Sequence, residues 1–478
     1  MHRINGLTHR FLAAIAAACV GFALTGELAP TQESSPREPA SGARPLWKAG
    51  LAKIRITPQK PVWMTGYGAR TKPSQGTLQD LYARALALED ESGGRAVLVT
   101  TDVLGFPAEV ARSIAQQVEK RYGLSRDRLL LNSSHTHSGP ALHSPIRLIY
   151  GAQTTPQQWR DVEDYTRELE GKVVAVIGHA LENLQPARLS FGHGEATFAA
   201  NRRKKTDRGP VIAVNPEGPV DHDVPILRVD SEQGRLRGVV FGYACHNTTL
   251  PSTIYQFHGD YAGCAQEWLE KHHPDTVAFF VEGCAGDINP APRGTLDLVR
   301  EHGETLAAAV DKAMAGPLRP VRGPLRTTFE VFPIPFAPPP GAEQLKAQLQ
   351  HRSAYFRWHA QQLLKVLDRD GRLPSEYPYP LQVWQFGQDL TFIAMAGEVV
   401  VDYVLRLKKE LGAEKLWVAG YSNDVFAYIP SRRVLEEGGY EGGGAMIYYV
   451  QPGPFAPPVE ETIIRKAHEL VARVRGPK

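Results

Sequence analysis

The chain has 478 residues, 54 Lys and Arg against 51 Asp and Glu, and a formal net charge of +3, with 42% apolar and 22% charged residues. That balance belongs to an ordinary globular protein and excludes a disordered chain or a multi-span membrane protein. One short basic cluster, Arg202-Arg203-Lys204-Lys205, makes no basic face, so nucleic acid is excluded as a partner.

In chain order, Arg3 and Arg10 precede the short apolar run 11–25, which is too short for a comfortable membrane span. Residues 1–26 read as a secretory signal, with a lipoprotein at Cys19 or an uncleaved anchor as the alternatives. Residues 27–46 read as a Pro/Ser-rich linker. The chain is therefore expected to be exported, periplasmic or secreted, with one catalytic domain over 47–478. Without Cys19, Cys245, Cys264 and Cys284 remain, an odd number without C-x-x-C spacing. Buried free thiols are expected rather than a disulfide framework.

Apolar, β-branched runs predict strands at 95–103, 128–136, 237–246, 276–287, 390–398 and 416–424. Each ends on or near a residue capable of chemistry: Asp102, His135, His246, Asp287, Glu398 and Asn423. Apolar residues three or four apart predict a helix between Trp159 and Leu184. Further helices fit 107–122, 262–272, 296–314, 342–368 and 459–474, and the Pro-rich stretch 319–340 reads as a long loop. This alternation predicts an α/β fold, with mixed α+β the variant, in one large domain. Sites in such sheets gather beyond the carboxyl ends of strands.

Within Ser134-His135-Thr136-His137-Ser138-Gly139-Pro140, His135 and His137 share one side if the backbone is extended. Two imidazoles there suit a divalent metal, or one ligand and one group working on substrate; a solvated turn is the bland alternative. His246 closes an apolar run and by itself reads as a core histidine. Glu398 reads as a carboxylate at a helix start, Tyr428 as a core tyrosine, and Tyr440 as a packing or lid residue in a glycine-rich loop. His143, His258, His272 and His273 lack a partner pattern and read as surface histidines. Asp102, from its strand end, reads either as a carboxylate orienting an imidazole or as a cap.

Taken together and in order, these segments resemble the neutral/alkaline non-lysosomal ceramidases. The resemblance is carried by AGLAKIRITPQKPVWMTGYGAR (49–70), DLYARALALED (80–90), NSSHTHSGP, ANRR (200–203), GYACHNTTL, HGDYAG (258–263), VEGCAGDINP, AGE (396–398) and YSNDVFAYIPSRRVLEEGGYEGG. It implies one zinc ion per chain held by His135, His246, Glu398 and Tyr428, a ligand set that suits a catalytic site. It also implies His137 as proton donor or oxyanion partner, with Tyr440 and Arg202 as donors to a developing oxyanion.

Two departures bear on substrate. The family segment G-D-V-S-P carries a serine where this chain has Asn289, in Gly286-Asp287-Ile288-Asn289-Pro290. An amide is no nucleophile at ordinary pH, so the resemblance implies hydrolysis by activated water rather than an acyl-enzyme. The family's C-terminal immunoglobulin-like domain is also not expected beyond the helix at 461–475. The expected function is zinc-dependent hydrolysis of an N-acyl amide, with a ceramide-like lipid as first candidate. The alternatives are another amide or ester at the same site, or an exported binding protein that keeps the fold. An apolar groove at Ile146, Leu148, Ile149 and Tyr150 is one candidate for the acyl chain. Oligomeric state is not readable, and peripheral membrane contact would require an apolar patch that sequence does not locate.

Overall fold

The computed structural model describes residues 47–143 and 154–476. The signal-like and linker segments, and the candidate groove at 146–150, lie outside the described residues. The first strands are β1 (Trp47–Arg55), β2 (Tyr82–Asp90), β3 (Arg95–Thr101), β4 (Leu129–Ser133), β5 (Gln185–Glu195) and β6 (Ala199–Lys204). Then come β7 (Val211–Asn215), β8 (Asp223–Ser231), β9 (Leu236–Tyr243), β10 (Val277–Glu282), β11 (Ile288–Pro290) and β12 (Arg319–Val321). The last are β13 (Leu325–Pro335), β14 (Glu376–Phe386), β15 (Leu390–Met395), β16 (Glu398–Val399), β17 (Leu416–Ala419) and β18 (Tyr428–Ile429). The helices are α1 (Ala108–Tyr122), α2 (Pro156–Glu182), α3 (Asp260–His272), α4 (Leu296–Ala315), α5 (Ala342–Gln348), α6 (Ala354–Asp370), α7 (Asp402–Leu411), α8 (Arg432–Glu437) and α9 (Val459–Arg475).

A nine-stranded sheet runs β10-β9-β8-β5-β1-β2-β3-β4, with β12 joined to β5. The β3–β4 and β9–β10 pairs are parallel and the other pairs antiparallel. A four-stranded sheet, β13-β14-β15-β17, packs on it through Leu86, Leu98, Leu130, Trp384, Phe392 and Trp417. The alternate residues of the large sheet, such as Ala85, Val97 and Leu131, face α1 and α2. The outer side of the smaller sheet, with Leu381, Val383 and Ile393, shares a core with Ile463, Ala467 and Leu470 of α9. The result is four layers, helix–sheet–sheet–helix. Strands β2, β3, β4, β9, β10 and β15 are buried on both faces, which is why they read as continuous apolar runs rather than alternating ones.

Local chemistry fixes the element ends. Thr155 and Gln158 form a capping box at the start of α2, with Pro156 in its first turn. Gly123 ends α1 at φ 65°, a left-handed cap that glycine takes without a Cβ penalty. The mixed α/β architecture agrees with the sequence reading, but two segments differ. The stretch 319–340 is not a loop: it holds β12 and the eleven-residue β13, paired with β14 along its whole length. Pro333 and Pro335 are tolerated there because β13 is a sheet edge, where a missing N–H costs no ladder bond. The expected helix at 342–368 is two helices, α5 and α6, separated by residues 349–353. Among the described residues, no helix is long and apolar enough to cross a membrane.

Candidate metal centre

The two edges of the large sheet meet through one side chain. Asn132 in β4 accepts from the Glu282 N–H of β10 at 2.9 Å and donates to the Gly420 carbonyl after β17 at 2.9 Å. The ends of β4, β9, β10 and β17 therefore open onto one place. Asn247 ties the neighbouring loops, donating from Nδ2 to the Ser134 carbonyl at 2.6 Å and receiving the His137 N–H at its own carbonyl at 3.2 Å.

His135 and His137 meet at this point, but not by strand alternation. β4 stops at Ser133, and His135 has a φ of 58°. That left-handed residue turns the chain so that His137 Nε2 comes to 3.2 Å from His135 Nε2. Gly66, at φ 95°, lets the chain pass beneath His137: a Cβ there would lie 2.5 Å from the imidazole. His246 follows β9, and its N–H donates to the Ile288 carbonyl at 3.1 Å. Glu398 and Tyr428 face each other in the two-stranded parallel pair β16–β18. Sequence reasoning had no access to that pairing, which joins residues thirty positions apart.

The polar atoms converge in a definite sense. His135 Nδ1 lies 2.6 Å from the Leu104 carbonyl and His246 Nδ1 2.7 Å from the Ala285 carbonyl. A carbonyl only accepts, so both Nδ1 atoms carry a proton, and in the neutral imidazoles both Nε2 atoms present lone pairs. Those lone pairs point at an acceptor: Glu398 Oε2 is 3.2 Å from His135 Nε2 and 3.1 Å from His246 Nε2. Three acceptors facing one point in a buried site are mutually unfavourable unless a cation lies between them. His137 adds a third nitrogen, and the ligand atoms of His135, His137 and His246 lie within 4.8 Å of one another. The residues present fit a divalent metal held by imidazole and carboxylate.

A second ring of side chains supports this one. Arg202, on β6, reaches His246 Nε2 at 3.3 Å and Tyr428 Oη at 3.1 Å, and donates to Asn289 Oδ1 at 3.2 Å. Its Nε donates to Glu441 Oε1 at 2.8 Å, while Glu441 Oε2 accepts from Arg203 Nη1 at 2.6 Å. Burial pushes the Arg202 guanidinium down, but Tyr428 and Glu441 reverse this and leave it held firmly protonated. Tyr449 donates its hydroxyl to Glu398 Oε1, leaving Oε2 for the imidazoles. The Tyr440 ring sits 5.3 Å from that of Tyr428, and burial pushes its hydroxyl upward, so it stays a donor near neutral pH.

Of the residues singled out from sequence, His135, His137, His246, Glu398, Tyr428, Arg202 and Asn289 come together, with Tyr440 at the margin. Asp102 does not. Its Oδ2 accepts from Arg84 at 3.1 Å and from the Tyr82 N–H at 2.8 Å, so it is a buried ion-pair partner and orients no imidazole. The imidazoles are held by backbone carbonyls instead. Asp287 bonds Asn201 and the Val401 N–H, and Asn423 bonds the Leu131 N–H. Both strand-end residues build the frame rather than the cluster. His258 is buried, not at the surface, and accepts the Asp260 N–H at Nδ1 at 2.9 Å. Glu441 and Tyr449 were invisible to sequence reasoning, since neither carries a spacing signal. Cys245 and Cys284 are buried free thiols and Cys264 is a half-buried one.

Burial, then the Arg202 cation, push the His246 imidazole from its ordinary 6.5 down to about 4. The unfolded chain takes up a proton near 6.5 that the folded chain refuses until about 4. This residue's contribution to stability is therefore complete above 6.5 and is lost as pH falls through that window. The urea midpoint of metal-free protein should drop between those two pH values. Replacing His246 by Gln should flatten the drop, and an equal drop in that variant would refute the assignment.

A four-layer α/β domain with a buried histidine–carboxylate cluster at its strand ends is the class that fold and site define. The model of the family described as neutral/alkaline non-lysosomal ceramidase, N-terminal, matches residues 47–312, more than half of the chain. The chain belongs to that family. It is similar to neutral ceramidase A of Dictyostelium discoideum, 28% identical over 251 residues, covering 48% of this chain and 34% of that protein. It is also similar to the neutral ceramidase of Mycobacterium tuberculosis, 27% identical over 254 residues, covering 49% of this chain and 38% of that one. The match thus spans little more than a third of these relatives' own length. The crystal structure of neutral ceramidase from Pseudomonas aeruginosa superposes with a TM-score of 0.71 at 20% identity, over 91% of this chain and 75% of that one. That likeness is one of fold.

Proposed function

We propose that the chain is a zinc-dependent amidohydrolase that cleaves an N-acyl amide, with ceramide the first substrate to try. The observation that carries this reading is the convergence of the His135 and His246 Nε2 lone pairs on Glu398 Oε2, in a chain of the ceramidase family. His135, His246, Glu398 and Tyr428 would hold the ion. The chemistry supplied by zinc held there is Lewis-acid polarisation of a carbonyl and acidification of a water towards a pKa of ~7.

The chain's own residues supply the rest. Arg202, fixed by Glu441, presents a permanent cation beside Tyr428 and stabilises negative charge developing on the acyl oxygen. Tyr440, neutral at working pH, adds a hydroxyl donor. Burial, then the neighbouring His135 and His246 rings, push the His137 imidazole well below its ordinary value. It is therefore neutral at working pH, placed to take a proton and pass it on to a departing amine. Domain assignment over 47–478 and export by the N-terminal segment belong to the same proposal.

Asn289 accepts from Arg202 and, at 3.3 Å, from Thr248 Oγ1. It holds the guanidinium in place and attacks nothing. Asn289→Ser should keep turnover within about tenfold, the loss of one hydrogen bond to a charged group. A trapped acyl-enzyme in that variant would instead revive a serine mechanism. The reading as a whole is tested by incubating zinc-loaded protein with ceramide, a short N-acyl amide and an ester, and measuring fatty acid release with and without chelator. Chelator-sensitive acid release from an amide supports it. One zinc per chain with no release from any amide would return the chain to a binding role.

A further inference from the structure

The basic cluster Arg202-Arg203-Lys204-Lys205 is divided by the fold. Arg202 and Arg203 are buried in the network around Glu441, while Lys204, Lys205 and Arg208 are exposed. They lie on a hairpin of β6 and β7 whose turn is closed by bonds from Thr206 Oγ1 to the Gly209 carbonyl and from the Gly209 N–H to the Thr206 carbonyl. β7 is the free edge of the three-stranded sheet β11-β6-β7. Among the described residues it carries three of the five exposed large apolar side chains in one run: Val211 at 48%, Ile212 at 49% and Val214 at 55% exposure. Successive residues of a strand point to opposite sides, so exposure of 211, 212 and 214 together means that β7 stands clear of the body on both faces. Water-facing β-branched residues on an unpaired edge are a liability that proteins ordinarily remove.

The same hairpin touches the candidate site twice. β6 carries Arg202, and Pro210 in the turn packs on Gly439, so closely that a Cβ there would lie 2.6 Å from the proline ring. Gly439 precedes Tyr440.

We propose that this hairpin is the surface by which the protein seats on an anionic lipid bilayer, with Val211, Ile212 and Val214 entering the interface. Lys204, Lys205 and Arg208 would meet its headgroups. The inference rests on the reading that the substrate is a lipid amide, and it supplies the apolar patch such a substrate requires. On the hairpin itself three cations stand against Asp207 and Glu217, with Lys205 also facing Glu437 Oε1 at 3.4 Å. That excess favours an anionic surface over a second copy of this chain, whose equivalent edge would bring like charges together. Apolar side chains and lysines add independently at such an interface, the first by area buried and the second by surface potential.

The test is flotation of the full chain with vesicles of phosphatidylcholine, alone or mixed with phosphatidylserine. Wild type should float with the mixed vesicles and less with the neutral ones, and added salt should weaken the difference. Lys204→Ala/Lys205→Ala should lower binding to the mixed vesicles by roughly tenfold or more, at ~1 kcal/mol per lysine. Ile212→Glu/Val214→Glu should abolish the binding added by phosphatidylserine, while all three proteins hydrolyse a short water-soluble N-acyl amide equally. The N-terminal segment is the same in every protein, so the differences report the hairpin. Variants that float as wild type does would overturn the proposal. So would a wild-type dimer that Ile212→Glu disperses, which would make this edge a contact between copies. Amide hydrolysis without flotation defeats the surface and spares the proposed activity; hairpin-dependent flotation without hydrolysis does the reverse.

Discussion

His246→Ala is expected to fold, to lose the proposed zinc, and to turn over substrate about 10³-fold more slowly or worse, because the Lewis acid would contribute several kcal/mol to the transition state. His246 sits at the closest part of the cluster, 3.1 Å from Glu398 Oε2, and its ring is set by the Ala285 carbonyl behind it. Removing the imidazole leaves that carbonyl without its donor, at a cost of about 1–3 kcal/mol. A domain with cores this extensive should survive such a loss. Elemental analysis of wild type and variant is the first measurement to make. One zinc per wild-type chain and none in the variant would support the ligand set; equal metal in both would remove His246 from it.

The second large effect is on stability. Glu441→Ala is expected to destabilise the fold by about 3–5 kcal/mol, the penalty for breaking a buried ion pair by removing one partner. Glu441 is 3% exposed and serves two cations at once, one carboxylate oxygen to Arg202 and the other to Arg203. Without it, Arg203 keeps Glu437 and the Gly438 carbonyl, but Arg202 is left with Tyr428, His246 and Asn289, none of them charge-matched. Urea unfolding measures the loss, and kcat should fall with it because the guanidinium is no longer aimed. Glu441→Gln keeps one acceptor but sets an amide N–H against an arginine, so it should fall between the two. A loss below ~1 kcal/mol in the alanine variant would place this pair with exposed ion pairs, which contribute little.

Much of the core was legible in the residues themselves. Leu129 to Leu131, Val239 to Phe241 and Val277 to Val281 are apolar enough to demand burial on both faces, and that demand is local. So is the end of each strand, where polar residues meet the sheet rim. His135, His246 and Glu398 could be noted as residues capable of chemistry at the ends of apolar strands, although His246 alone read as a core histidine and Glu398 as a carboxylate at a helix start. Their roles came from the order of the family's segments, not from any one spacing.

Other features were decided only by the tertiary structure. A strand end states that a carboxylate lies at the rim, not which group it meets: Asp102 finds Arg84, while Glu398 finds two imidazoles. His135 and His137 converge through a left-handed residue, which no alternation rule contains. Proline in β13 reads as loop until the strand proves to be a sheet edge. Glu441, Tyr449 and the β7 edge carry no periodic signal, because their roles depend on contacts with residues far away in sequence. Sequence by itself determined which groups had to be buried and which chemistry was available at the strand ends. Asn132, bridging β4 to β10, and the β16–β18 pairing decided which of those groups share one cavity, since long-range contacts have no period to read.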